Sequence, residues 1–132
     1  MKFVAIAAVT LLAAAPPAWA DGDAAAGATK FKVCTTCHSA GEGAKNKIGP
    51  VLNDVVGRQP GTFPQFPYSK AMKDFGASNP AWTPKLLAKF LHKPKDEVPG
   101  TKMTFAGMSD EKDVENVIAY LKSLSPGYKG ED

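Results

Sequence analysis

The stretch "SAGEGAKNKIGPVLNDVVGRQPGTFPQFP", residues 39–67, is the feature that most restricts how this chain can fold. It is rich in glycine and proline and has neither helical nor strand periodicity, so it reads as loop. A loop of that length in a compact domain is uncommon unless it wraps around something. The sequence on either side reads as helix. Asp23 is placed to cap a helix over "AAAGATKFKVCTT", with Ala24, Ala28 and Phe31 on one side. "YSKAMKDFG" (68–76) predicts a short helix stopped by Gly76. Thr83-Pro84 is a cap with proline at the first helical position, followed by an apolar stripe of Leu86, Leu87, Phe90 and Leu91 that Pro94 ends. "SDEKDVENVIAYLKSL" gives the clearest helix, capped by Ser109 or Asp110, with acids in its first turn and Lys122 in its last. Its apolar face is Val114, Val117, Ile118, Leu121 and Leu124, and Ser125-Pro126-Gly127 closes it. The expected class is all-α, with several helices and long loops.

The N-terminus gives an address. Met1-Lys2, the apolar run "FVAIAAVTLLAAA" and the small-x-small Ala18-Trp19-Ala20 have the form of a secretory signal peptide over 1–20. The run is shorter than the ~20 apolar residues that span a bilayer. A bacterial periplasm fits better than mitochondrial import, whose presequences are amphipathic and rich in arginine. The remaining chain, 21–132, is 112 residues and one domain. It carries 15 basic and 13 acidic side chains. That mild balance gives no case for nucleic-acid binding, which needs a clustered basic face.

Four modest helices bury little apolar area against the ordering entropy of such a chain. A large apolar prosthetic group at the centre of the core removes that deficit and gives the long loop something to enclose. "CTTCH", Cys34 to His38, holds both cysteines of the chain and one of its two histidines. A redox dithiol of the thioredoxin kind needs a βαβ context, which is absent. A zinc site needs a further ligand, and only His92 remains as a conventional one. A disulfide across two residues closes too short a loop to stabilise much. Covalent haem attachment fits: cysteines three apart lie on nearly one side of a helical turn, can bond the two vinyl groups of a haem, and carry His38 under the iron.

A sixth iron ligand then comes from His92, Met72, Met103 or Met108. Methionine is usually core filler, and a histidine near a helix C-terminus is usually a favourable surface charge. Met103 is the exception, standing in the polar turn "VPGTKMTFAG" where filling a core does not account for it. A thioether ligand does, and a His/Met pair raises the reduction potential.

"CTTCH", "IGPVLNDVVGR", "PYSKAM", "AWTPKLLAKFL", "KPKDEVPGTKMTFAG" and "VIAYLK", in that order along 21–132, resemble a class I cytochrome c, of the soluble bacterial cytochrome c2 type close to mitochondrial cytochrome c. The resemblance implies a fold wrapped around one covalently bound haem c, held by Cys34 and Cys37, with His38 and Met103 as axial ligands. It implies that the Pro50 carbonyl accepts a hydrogen bond from His38, and that Arg58, Tyr68, Trp82 and Thr101 surround the haem propionates. Gly27, Phe31, Tyr120 and Leu121 match a tight crossing of the first and last helices. Phe90 stands in place of a tyrosine, Met72 of an asparagine and Val33 of a lysine, while Asp96-Glu97 dilute a basic patch.

The function implied is that of a monomeric periplasmic electron carrier in respiratory or photosynthetic electron transfer, not an enzyme. Its donor and acceptor would be drawn from a cytochrome bc1-type complex, a terminal oxidase, a photosynthetic reaction centre or a periplasmic dehydrogenase, with only transient docking at the membrane. The rival reading is a haem peroxidase or ligand-sensing protein, which keeps an open sixth position.

Overall fold

The computed structural model describes residues 22–130; the signal peptide expected over 1–20 and the mature start at Asp21 lie outside them. The elements are helical: α1 (Ala24–Lys30) running into a 3-10 turn (Phe31–Cys34), α2 (Lys70–Ser78), α3 (Pro84–His92), the single turn α4 (Pro94–Glu97) and α5 (Glu111–Ser123). Among the described residues no helix is long and apolar enough to cross a membrane.

Four of these helices begin on a side chain that accepts from an otherwise unpaired amide, each such cap contributing about 1 kcal/mol. Asp23 accepts from Ala25 and Ala26, Ser69 from Met72, Thr83 from Leu86 and Asp110 from Asp113. Asp110, not Ser109, is therefore the cap of α5. The first helix is shorter than "AAAGATKFKVCTT" suggests. After Lys30 the backbone tightens, and Thr35 Oγ1 donates to the Lys32 carbonyl at 2.6 Å, a side-chain bond that competes with further α-helix. Gly76 does not stop α2. It lies inside the helix, buried where a Cβ would run into the Pro60 carbonyl, and the helix ends at Ser78. Pro94 ends α3 as expected and also starts α4, where its missing N–H costs nothing.

The core joins helix and loop. Phe31, Leu87, Phe90, Leu91, Val114, Val117, Ile118 and Leu121 come from helical segments, while Val55, Val56, Trp82 and Val98 come from between them. Cys34, Leu52, Met72 and Met103 pack against this cluster as partly buried side chains. The segment 39–67 has no helix but is well tied. Gly41 and Asn53 exchange two bonds, Gly41 N–H to Asn53 Oδ1 at 2.8 Å and Asn53 Nδ2 to the Gly41 carbonyl at 2.9 Å. Asp54 N–H donates to the Leu124 carbonyl, and Val56 N–H to Ser125 Oγ.

The scaffold is framed by the crossing of α1 on α5. Gly27 lies against the Asn116 carbonyl, and a Cβ there would also stand 2.9 Å from Tyr120 Cβ. The Phe31 and Tyr120 rings pack 5.1 Å apart beside it, and Asp23 N–H donates to Asn116 Oδ1 at 2.9 Å. Gly27→Ala must push two backbones apart, so we expect a loss of about 3 kcal/mol or more, at or above the upper end for overpacking. Denaturant unfolding followed by far-ultraviolet circular dichroism measures it; a change below about 1 kcal/mol would show that the crossing yields easily.

Candidate functional site

The 3-10 turn after α1 brings Cys34, Cys37 and His38 onto one turn of backbone. Cys37 N–H and His38 N–H both donate to the Cys34 carbonyl, at 3.1 and 2.8 Å. Both cysteines are free and half-buried. Burial pushes the Cys34 thiol up, and the neighbouring Cys37 adds to the effect, so Cys34 stays protonated at neutral pH.

Segment 46–52 closes over this turn. Gly49 N–H donates to the Cys37 carbonyl at 2.8 Å, Lys47 Nζ to the Thr35 carbonyl at 2.6 Å, and Leu52 N–H to the Ser39 carbonyl at 3.1 Å. Val51 N–H donates to Asn46 Oδ1 at 3.0 Å, which bends the segment back on itself. The result is a 2.7 Å hydrogen bond between His38 Nδ1 and the Pro50 carbonyl. A carbonyl only accepts, so Nδ1 carries the proton. Burial lowers the His38 pKa, with Arg58 and Lys47 adding repulsion and the Pro50 bond opposing both. The imidazole is therefore neutral, and its lone pair is on Nε2. Gly49 makes room for it: a Cβ there would lie 2.7 Å from His38 Nδ1.

Of the other residues expected around a haem, three gather together. Gly57 N–H donates to the Trp82 carbonyl and Trp82 N–H to the Arg58 carbonyl, each at 2.8 Å, locking the two segments side by side. Arg58 is half-buried, with NH1 on the Asn53 carbonyl at 2.9 Å, NH2 on the Val51 carbonyl at 3.0 Å, and its guanidinium 4.8 Å from the centre of the Phe63 ring. Tyr68 accepts at its hydroxyl from Phe63 N–H at 3.1 Å, and burial raises its pKa. Trp82 is 6% exposed, with Phe75 at 5.5 Å and Phe90 at 5.0 Å. Thr101 lies in a different loop, where its N–H donates to the Val98 carbonyl and its Oγ1 accepts from Met103 N–H at 3.2 Å. Met103 itself is half-buried against the core. His92 is exposed at the end of α3 and bonds the Met108 carbonyl at 2.8 Å.

Three contributors have only faint sequence signals. Gly49 is marked by nothing more than standing before a proline. Asn46 and Asn53 are loop asparagines like any others until their partners are known. Among the described residues, no three His, Cys, Asp or Glu side chains converge to hold a metal ion. The donor set does fit a c-type haem: two available thiols, a neutral imidazole with a free Nε2, and a thioether at the edge of an apolar core.

Residues 24–125 match the family model for cytochrome c. The chain belongs to the cytochrome c family. It is 50% identical over 101 residues to cytochrome c2 of Agrobacterium tumefaciens, covering 76% of this chain and 91% of that one. It is 48% identical to cytochrome c2 of Blastochloris viridis, covering 87% of each. Among solved structures it resembles cytochrome c2 from Rhodospirillum centenum, with a TM-score of 0.76, 37% identity and coverage of 80% of this chain and 100% of the other. Cytochrome cH from Methylobacterium extorquens gives a TM-score of 0.71 at 44% identity, covering 77% and 99%. The fold is that of class I cytochromes c, and its cofactor is covalently bound haem c.

The cradle under His38 is open to direct test. Gly49→Ala must displace either the ring or segment 46–52, because its new Cβ would overlap the imidazole. We expect about 1–3 kcal/mol of destabilisation, with loss of the low-field Nδ1–H proton signal that marks the His38–Pro50 bond. Retention of both stability and signal would mean the ring has slack.

Proposed function

We propose that this cytochrome c is a soluble periplasmic carrier of single electrons, with haem bonded through thioethers to Cys34 and Cys37 and its iron held between His38 Nε2 and Met103 Sδ. One observation carries the reading: a neutral imidazole, with Nδ1 engaged at 2.7 Å by Pro50, follows directly on a turn with two free cysteines. The haem supplies the one-electron Fe(III)/Fe(II) couple. The protein's part is to bind, orient and exclude. Pro50 fixes the tautomer and orientation of His38 and makes Nε2 more basic. Met103, in a loop tied at Val98 and Thr101, offers a soft sulfur that favours Fe(II) and blocks small molecules. Arg58, Tyr68, Trp82 and Thr101 are read as the propionate surroundings, where a half-buried cation offsets the cost of burying carboxylates.

No substrate is turned over on this reading. The related proteins named cytochrome c2 and c-550 support a carrier, and nothing in the comparisons supports a peroxidase or ligand sensor. Export to the periplasm rests on the form of residues 1–20. The donor and acceptor are sought among bc1-type complexes, terminal oxidases, photosynthetic reaction centres and periplasmic dehydrogenases.

Met103→Ala is the deciding variant. It is expected to abolish the weak sulfur-to-iron charge-transfer band of the oxidised protein, lower the reduction potential and admit cyanide. Met108→Ala is expected to do none of these. A band that survives loss of Met103 sinks the assignment.

Partner docking gives a second test. Lys89, Lys95 and Lys102 are exposed, whereas Lys47 is tied to the Thr35 carbonyl and Lys93 stands 4.0 Å from Asp96. A patch so diluted steers an acidic partner weakly, by about tenfold, the low end for electrostatic steering. The second-order rate with such a partner is expected to fall with salt, and to fall again in Lys102→Glu. A rate that rises with salt places docking elsewhere.

A further inference from the structure

The loop that carries Met103 runs from Val98 to the start of α5, and its two sides are fastened differently. On the near side, Thr101 N–H donates to the Val98 carbonyl at 2.9 Å and Met103 N–H to Thr101 Oγ1 at 3.2 Å, bonds made within the loop itself. On the far side the fastening is to the helix scaffold. Met108 N–H donates to the Leu91 carbonyl at 2.8 Å, and the Met108 carbonyl lies 2.8 Å from His92 Nδ1. Leu91 and His92 are the last two residues of α3. Met108 is thus gripped through both of its backbone groups by consecutive residues of one helix. Gly107 allows the approach: its φ is +116°, and a Cβ there would collide with the His92 carbonyl.

We propose that His92 is a positioning residue, a clasp that holds the far side of the Met103 loop to α3 and so keeps the thioether in place. The proposal rests on the reading of Met103 as an iron ligand and names a role for a histidine that coordination leaves idle. Because the Met108 carbonyl only accepts, His92 donates from Nδ1. The bond adds a side-chain anchor to a backbone one, so loop opening must break both together. A short loop held at both ends is stiff, and its stiffness sets how often Met103 can leave. Leu91 and Val98, which accept the backbone bonds on the far and near sides of the loop, are buried at 7% and 2%, so both backbone attachment points are parts of the core. His92 is exposed, so its loss opens the loop without leaving a hole in the core.

The test uses holoprotein with His92→Ala and His92→Asn, whose Nδ2 leaves Cγ as the imidazole Nδ1 does and can make the same bond. Two readouts are taken: native-state hydrogen exchange at the Met108 amide, and the rate at which cyanide displaces the sixth ligand of the oxidised protein. One exposed hydrogen bond corresponds to about a fivefold change in an opening equilibrium. His92→Ala is expected to raise both rates by about that factor, with the charge-transfer band retained at neutral pH and exchange at Val117 and Ile118 unaltered. His92→Asn is expected to restore most of the wild-type value. The proposal is overturned if Ala leaves both rates within measurement error, if exchange rises equally in α5, or if Asn behaves like Ala. Absence of the charge-transfer band from the wild type would instead refute Met103 ligation, and exchange at Met108 would still judge the clasp.

Discussion

The hydrogen bond from His38 Nδ1 to the Pro50 carbonyl ties together parts of the chain that share no regular structure. One partner ends the turn that carries both cysteines. The other lies in a loop with no helix of its own. For the bond to form, the ring must be neutral, the backbone must come close, and the loop must hold still. Burial and the positive charges of Arg58 and Lys47 meet the first need by disfavouring the imidazolium. Gly49 meets the second, since any side chain would occupy the volume of the ring. The third is met by Lys47, Gly49 and Leu52, which bond the Thr35, Cys37 and Ser39 carbonyls, and by Asn46, which accepts from Val51 N–H.

Stiffness without secondary structure recurs through the molecule. Buried backbone groups need partners, and a loop that forms no ladder must find them in side chains or distant carbonyls. Arg58 supplies two through NH1 and NH2, Asn53 two through its amide, and Ser125 bridges the Val56 amide and the Leu121 carbonyl. Gln59 reaches the Gly76 carbonyl at 2.8 Å, joining the loop to α2 where Gly76 already lets Pro60 approach. Such bonds are worth about 1 kcal/mol each on average, and their number over 39–67 explains how so irregular a segment keeps a fixed path. An ordered surround suits a carrier, because one-electron transfer slows when the medium must rearrange.

Much of this was legible in the sequence for identifiable reasons. Caps at Asp23 and Thr83 act locally, so Thr83-Pro84 announces its helix without tertiary help. The apolar period of Val114, Val117, Ile118 and Leu121 likewise names the buried face of α5, while Leu124 falls just past its end as a half-buried C-cap. "CTTCH" is legible because its chemistry demands contiguous residues. What failed was local grammar overruled by contacts far along the chain. Gly76 reads as a stop signal, yet it is a helical residue kept small by Pro60. "KFKVCTT" continues a helical pattern, yet the backbone tightens after Lys30. Arg58 looks like a surface charge until Asn53, Val51 and Phe63 surround it. The resemblance, not the periodicity, pointed to Arg58 and to the crossing at Gly27.

Phe90 shows how a departure from family pattern is absorbed. The resemblance expects a tyrosine there, whose hydroxyl would need a partner. Phe90 is 6% exposed and packs 5.0 Å from Trp82, which in turn packs 5.5 Å from Phe75. Three aromatic rings in sequence pack at tilted angles, bury one another's area and leave no hydroxyl to pair. Among the described residues no buried side-chain nitrogen or oxygen lacks a partner, so this wall has not displaced its polar cost onto a neighbour. Met72, packed against the same core in place of an asparagine, acts in the same direction. A medium with fewer dipoles solvates charge less well. It therefore favours whichever oxidation state carries less net charge, adding burial to the choice of axial ligands among the means by which this chain sets its potential.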